Sequence, residues 1–157
     1  MRGAPLILVA AVLPACSQYS SPTITVDRGR VVDSTADGLV LEFELTADNS
    51  NEVALPLKEV RYSLEVEGRP VFSGYRSPAA TVRKFGTQQV KLPAVIALSG
   101  PNAAPVAGLG AGSKPYRLTG TLVYTTPGEF EKVLFENDVR RPEVGFSGEG
   151  SVDFSAK

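Results

Sequence analysis

The chain contains no histidine and no tryptophan, and it has one cysteine among its 157 residues. The lack of histidine excludes Ser-His-Asp and Cys-His catalytic arrangements and removes the commonest side-chain ligand of transition metals. A single cysteine excludes a disulfide within the chain. The formal net charge is −1 and no basic stripe is present, which argues against nucleic acid as a partner. We therefore expect no catalytic residues, no metal site and no cofactor.

Long apolar runs are also absent, since a helix that crosses a bilayer needs about 20 apolar residues. The run over residues 4–13 has ten and follows Arg2, as in a secretory signal peptide. It leads into Leu13-Pro14-Ala15-Cys16, which resembles the lipobox of bacterial lipoproteins. Pro14 departs from the small or hydroxyl residue usual there. The alternatives are an ordinary signal-peptidase site and an uncleaved chain with a buried thiol.

The resemblance to lipoproteins implies that Cys16 becomes the mature N-terminus and carries two or three acyl chains, enough for a stable anchor. Residues 1–15 are then the signal peptide, residues 16–22 a lipidated, flexible tether, and residues 23–157 one domain. Lipoproteins with Asp after the cysteine tend to stay in the inner membrane. Because Ser17 stands there, we expect a bacterial cell-envelope protein on the outer membrane, facing the periplasm. The membrane is the expected partner, and any protein partner is unknown.

Alternation of apolar and polar residues dominates the remaining chain and is typical of half-buried β-strands. We predict strands over residues 24–26, 39–45, 60–66, 71–73, 86–92, 116–124, 130–135 and 144–154, with Pro93 ending the fifth. No window holds a helical pattern for three turns, and residues 102–109 are only a weak exception. Short strands separated by Gly and Pro turns predict an all-β, antiparallel sandwich of about seven strands.

A long connection is predicted over residues 99–114, which are rich in Gly, Ala and Pro. Loops of this length are commonly functional or mobile, and we expect this one to be mobile. The segment 108–112 is rich in glycine but lacks the Lys-Ser/Thr ending of a phosphate-binding loop.

Two pairs of carboxylates are the candidates for catalytic groups, Glu42 with Glu44 and Glu65 with Glu67. Each pair has i, i+2 spacing on the polar face of a predicted strand, which favours a solvated surface over a glycosidase-like pair. The acidic residues around 136–138 offer few oxygen ligands for calcium and lack a calcium-loop pattern. Five aromatic residues have strand spacing, and we interpret them as core and sandwich edge rather than a carbohydrate platform: Tyr62, Phe72, Tyr75, Tyr116 and Tyr124.

A family resemblance rests on three elements in sequence order: the turn Asn49-Ser50-Asn51, then Leu55-Pro56-Leu57, then the hairpin Tyr62-Ser63-Leu64-Glu65-Val66-Glu67-Gly68. Looser matches lie at residues 90–93 and 116–124. The chain resembles the late-embryogenesis-abundant type 2 family, also called the water stress and hypersensitive response domain, over residues 24–154. Ser50 stands where the family prefers proline. Asn side chains bond nearby backbone, so Asn49 and Asn51 are predicted to be structural turn residues.

The resemblance implies an immunoglobulin-like or fibronectin III-like sandwich without known catalytic residues, associated with desiccation and stress protection. We therefore expect a non-enzymatic envelope lipoprotein that acts in stress protection or surface interaction. The alternative is a periplasmic adaptor or assembly subunit that binds one protein partner by strand addition. A hydrolase is disfavoured because no competent set of residues is present.

Overall fold

The computed structural model describes residues 19–101 and 112–155 and shows two packed antiparallel sheets. The three-stranded sheet has the order β1 (Thr23–Ser34), β2 (Gly38–Asn49), β6 (Gly86–Ala97). The five-stranded sheet has the order β4 (Arg69–Arg76), β3 (Leu55–Val66), β7 (Ser113–Tyr124), β8 (Glu143–Asp153), and the short β5 (Thr81–Val82) pairs with the start of β3. The prediction of an all-β antiparallel sandwich is confirmed.

The core follows from the two-residue period of the strands. Alternate residues of β2 are almost fully buried, among them Leu41, Phe43 and Leu45, while the intervening Glu42 and Glu44 face outward. Residues of β3 and β7 meet them from the other sheet, and the ring centroids of Phe43 and Tyr116 lie 5.0 Å apart in an edge-on arrangement. Interdigitated apolar side chains between the sheets therefore make one continuous core.

Pro93 does not end its strand, contrary to the prediction. Strand β6 continues to Ala97, and Pro93 pairs with Glu42 of β2. Proline is compatible with this position because β6 is the last strand of its sheet, so the missing N–H interrupts no ladder between two neighbouring strands.

The strand predicted over residues 130–135 is wrong, because this segment forms helix α1 (Glu129–Glu136). Phe130, Val133 and Leu134 have i, i+3, i+4 spacing, but the helix has only two turns, which is too short for a periodic pattern to stand out. Glu129 and Glu131 lie in its first turn, where negative charge interacts favourably with the positive end of the helix dipole. No residue of α1 is buried.

Several boundaries also differ from the predictions. Strand β2 extends beyond the predicted residues 39–45, to Asn49. Glu67, expected on a strand face, forms with Gly68 the two-residue turn between β3 and β4, and both have positive φ (51° and 74°), as in a type I′ hairpin. Residues 113 and 114 belong to β7, so the connection predicted over 99–114 is shorter. Residues 102–111 lie outside the described residues. They include the weak helix signal at 102–109 and most of the glycine-rich segment 108–112.

One end of the sandwich gathers the start of β1 and three connections. We call it the entry end, and it comprises residues 19–22, the β2–β3 turn at 50–54, the β5–β6 connection at 83–85 and the β7–β8 connection at 125–142, which contains α1. The opposite end carries the turns at 35–37 and 67–68 and the described part of the β6–β7 connection.

Within residues 19–101 and 112–155, no helix is both long and apolar enough to span a bilayer.

Candidate functional site

A buried cluster centred on two asparagines organises the entry end. Asn49, the last residue of β2, has no exposed surface. Its side-chain amide nitrogen donates to the carbonyl oxygens of Val53 at 2.7 Å and Arg83 at 3.0 Å, and to Val82 at 3.4 Å. One side chain therefore joins the β2–β3 turn to the β5–β6 connection, and it satisfies carbonyl groups that would be costly to bury without partners.

Asn51 carries this cluster to the N-terminal segment. Its backbone N–H and its side-chain amide both donate to Oδ1 of Asn49, at 3.0 and 2.7 Å. The same side chain donates to the carbonyl oxygen of Ser20 at 2.9 Å and accepts from the Ser20 N–H at 2.8 Å. Both asparagines are thus occupied by backbone groups and by each other, which is a structural arrangement. The sequence indicated their contact with nearby backbone, but nothing in it pointed to Ser20.

The N-terminal segment is held against the sandwich from Ser20 onward. The Tyr124 hydroxyl donates to Oγ of Ser21 at 3.0 Å, and Pro22 is buried. This differs from the flexible tether expected over residues 16–22, since its described part is bonded to two elements of the fold. Cys16 lies outside the described residues, three positions before Tyr19.

The carboxylates considered for catalysis are in ion pairs. Arg30 donates to Glu42 at 2.6 Å and Arg28 to Glu44 at 2.7 Å, across the outer face of the three-stranded sheet. These hydrogen bonds hold the pKa of both Glu42 and Glu44 below the usual value, against an opposing effect of desolvation. A general acid needs a raised pKa, so the direction of the shift argues against that role. In the second pair, Glu67 lies in a turn and contacts the Lys114 ammonium at 3.1 Å.

Carboxylates are also the side chains that could hold a metal ion in this histidine-free chain. Residues 19–101 and 112–155 contain no group of three or more Asp, Glu, His or Cys side chains placed to hold an ion. In the acidic segment after α1, Asp138 is paired with Arg141 at 3.0 Å instead. Arg141 also lies over the Phe135 ring, 5.0 Å from its centroid.

Most of the aromatic residues predicted as core are buried. Tyr62, Tyr116 and Tyr124 are 4–6% exposed, and burial raises the pKa of Tyr62 and Tyr116. Phe72 is half-buried against Tyr62, with ring centroids 5.3 Å apart. Tyr75 differs, being 79% exposed beside an open depression on the outer face of the five-stranded sheet. A lone exposed ring does not form a carbohydrate platform.

The outer edge of β6 is partly capped by the opposite sheet. The Tyr62 hydroxyl donates to the carbonyl oxygen of Pro93, and the Arg76 guanidinium donates to that of Lys91 at 3.1 Å. Pro93 itself offers no N–H. An added strand would need these groups for its own ladder, so this edge is poorly suited to strand addition.

The fold is an antiparallel β-sandwich in which the asparagine cluster joins connections at one end, and the family follows from the sequence match. The family model described as late embryogenesis abundant protein (LEA type 2) matches residues 44–137, more than half of the chain. The chain therefore belongs to the late embryogenesis abundant type 2 family. The match contains both asparagines and the Tyr62 hairpin, and it is shorter than the 24–154 predicted from the motifs. No curated protein matches the chain.

Solved structures show the same fold at low sequence identity. The chain is similar to the solution structure of an Arabidopsis thaliana protein, with TM-score 0.66, 16% identity, and coverage of 92% of this chain and 89% of the other. A second solution structure is of a protein named as a putative late embryogenesis abundant protein. Its TM-score is 0.64 at 19% identity, and the match covers 85% of this chain and 71% of the other. A crystal structure of an Archaeoglobus fulgidus protein has a TM-score of 0.52 at 16% identity, and the match covers 83% of this chain and 97% of the other.

Proposed function

We propose that this chain is a non-catalytic lipoprotein of the bacterial cell envelope, anchored through acyl chains on Cys16, that acts in stress protection at the membrane surface. Family membership supports the non-enzymatic, protective part of the proposal. The Leu13-Pro14-Ala15-Cys16 sequence after a ten-residue apolar run supports the anchor. The observation that carries the proposal is the position of Cys16, directly after Leu13-Pro14-Ala15 and four positions before Ser20, which is bonded to Asn51 of the sandwich.

The anchor is tested by expressing the full chain in a bacterial host and measuring the intact mass of the mature protein. We expect loss of residues 1–15 and the added mass of two or three acyl chains. The Cys16→Ala variant should leave the membrane fraction, whereas the matched Ser17→Ala variant should stay there. Wild-type protein without acyl mass, or a Cys16→Ala variant that still sediments with membranes, would refute the anchor. Separation of the two membranes by density then tests the proposed outer-membrane location.

Protection is tested separately from anchoring. We expect the protein to preserve the activity of a labile enzyme through drying and rehydration, better than an equal mass of an unrelated β-sandwich. No stoichiometric partner should accompany it from a detergent extract. One stoichiometric partner together with no protection would instead support the adaptor function. The capped outer edge of β6 makes strand addition along that strand the weaker alternative.

A further inference from the structure

Large apolar side chains are exposed unevenly over the described surface. Seven of the described ones are 47–79% exposed, and four of these lie in connections of the entry end: Phe85 (67%), Phe130 (70%), Val133 (53%) and Val139 (70%). The described connections at the opposite end, residues 35–37, 67–68 and 98–101, contribute none to this set. Exposed apolar groups concentrated at one end are typical of a surface that binds a partner or a membrane.

The backbone at Phe85 adds a second observation. Phe85 has a φ of 48°, in the left-handed region that bulky residues seldom adopt, and its N–H donates to the Asn51 carbonyl oxygen at 3.0 Å. The asparagine cluster thus fixes a connection whose aromatic ring points into solvent. Strain of this kind is commonly retained where an exposed side chain has a function.

Helix α1 presents the other exposed groups. Phe130 and Val133 lie one turn apart on it, and Val139 follows its C-terminus, where the N–H groups of Val139 and Arg140 donate to the Leu134 carbonyl oxygen at 2.9 and 3.1 Å. The helix packs no buried residue against the sandwich. It therefore contributes little to the core and leaves an apolar side without a partner among the described residues.

Tyr19 lies near Phe85 and near the segment that follows α1, and its closeness in sequence to Cys16 points to the bilayer as the occupant. It lines one depression with Phe85 and Asn51, and a neighbouring one with Arg140 and Tyr124. Tyr19 is three positions after Cys16, a reach of about 10 Å when the chain is fully extended. An acyl chain on Cys16 would therefore bring the bilayer within contact distance of the entry end.

We propose that the entry end is a membrane-docking surface: Phe85, Phe130, Val133 and Val139 enter the headgroup region of the bilayer that holds the acyl chains, so that the sandwich stands on the membrane in one orientation. This inference rests on the anchor proposed above. The surrounding charges are mixed, with Lys84, Lys132 and Arg140 beside Glu129 and Glu131, so docking should not require anionic lipid. Apolar insertion, with Tyr19 at the interface, is the driving contribution.

The lack of tryptophan and the single cysteine permit a direct test. Chains of residues 16–157 are coupled through the Cys16 thiol to maleimide headgroups in phosphatidylcholine vesicles, which replaces acylation by the cell. Phe130→Trp and Phe85→Trp each introduce the only tryptophan, and Tyr75→Trp is the matched control on an exposed strand. All three positions are surface sites, and circular dichroism checks that each variant is folded.

We expect Phe130→Trp and Phe85→Trp to emit at shorter wavelength on coupled vesicles than free in solution, to lose most of their iodide quenching and to be quenched by brominated acyl chains. Tyr75→Trp should show none of these changes. Adding Phe130→Ser and Val133→Ser to Phe85→Trp should restore iodide quenching, since the surface docks as a unit. Emission and quenching like those of Tyr75→Trp would overturn the proposal.

Two further outcomes separate this proposal from its alternatives. Shielding that appears only at high protein density on the vesicle would assign the surface to a second copy of the chain and overturn membrane docking. Failure of the anchor is read independently, from the intact mass of protein made in cells, because the thiol coupling does not depend on acylation. The fluorescence result can therefore contradict docking while the intact mass supports the anchor, and the intact mass can contradict the anchor while the fluorescence supports docking.

Discussion

Asn51 and Ser20 face each other through two opposed hydrogen bonds, in which the side-chain amide of Asn51 takes the place of a neighbouring strand. The amide donates to the Ser20 carbonyl at 2.9 Å and accepts from its N–H at 2.8 Å, although the residues are 31 positions apart. Because Asn51 is itself bonded to the buried Asn49, Ser20 is tied to the core through two side chains. This arrangement fixes the position of Ser20 at the entry end.

Replacing Asn51 tests this tie. Asn51→Ala removes both bonds to Ser20 and one to Asn49, and we expect a loss of about 1–3 kcal/mol in the free energy of unfolding, as for other part-buried hydrogen-bonded groups. Urea denaturation measures the loss, and the amide proton of Ser20 should exchange faster with solvent. Ser50→Ala, at the exposed position between the two asparagines, is the control and should change stability by less than about 0.5 kcal/mol. Equal stability of the two variants would show that the tie is not stabilising.

Gly120 tests the packing between β3, β7 and β8. A Cβ at this position would lie 2.4 Å from Cζ of Phe146 and 2.5 Å from the Arg61 carbonyl oxygen. The ring can turn aside but the backbone oxygen cannot, so Gly120→Ala should cost about 1–3 kcal/mol, as overpacking does. Gly145→Ala, on the adjacent strand, is the control because its nearest atom would be 3.9 Å away. Thermal unfolding compares the two, and a Gly120→Ala variant as stable as Gly145→Ala would contradict the packing described.

The ion pairs of Glu42 and Glu44 predict a dependence of stability on pH. Their pKa values are lowered in the folded protein, so their contribution is present above the unfolded value near 4.5 and is lost as the pH falls through the folded values. The wild type should therefore be more stable than the double variant Glu42→Gln, Glu44→Gln at pH 7. Denaturant titrations from pH 7 to about pH 3 should show this difference shrinking.

Salt provides the control for that experiment. The carboxylates lie on an outer sheet face, so the difference between the two proteins should also shrink at 1 M salt, where the Debye length is about 3 Å. A difference that persists unchanged at low pH or at high salt would show that the charges are not its cause.

Recognition of the sandwich from sequence succeeded where a period of two ran unbroken, as in β2 from Leu39 to Leu45. Such alternation has one physical outcome, a strand with one buried face. It failed at α1, whose two turns are too short for a helical period to be distinguished from alternation. It also failed at Pro93, since the sequence does not reveal that β6 is an edge strand where a missing N–H is tolerated.

Some features of the candidate site could likewise be predicted from the sequence, and others could not. The asparagine turn could be recognised because side chains at 49 and 51 act on nearby backbone, which is a local effect. The partner of Asn51 could not, because Ser20 is distant in sequence and is brought there by the pairing of β1 with β2. The direction of the pKa shifts at Glu42 and Glu44 also required the register, which places Arg28 and Arg30 beside them.

By itself, the sequence determined the β class and the family, because both follow from the local order of residues along the chain. The proposed acylation of Cys16 also rests on sequence alone, on the residues that precede the cysteine. The tertiary structure alone decided that Tyr19, Phe85 and α1 share one end of the sandwich. These residues are more than 40 positions apart, and the antiparallel register of the strands brings their connections to the same end.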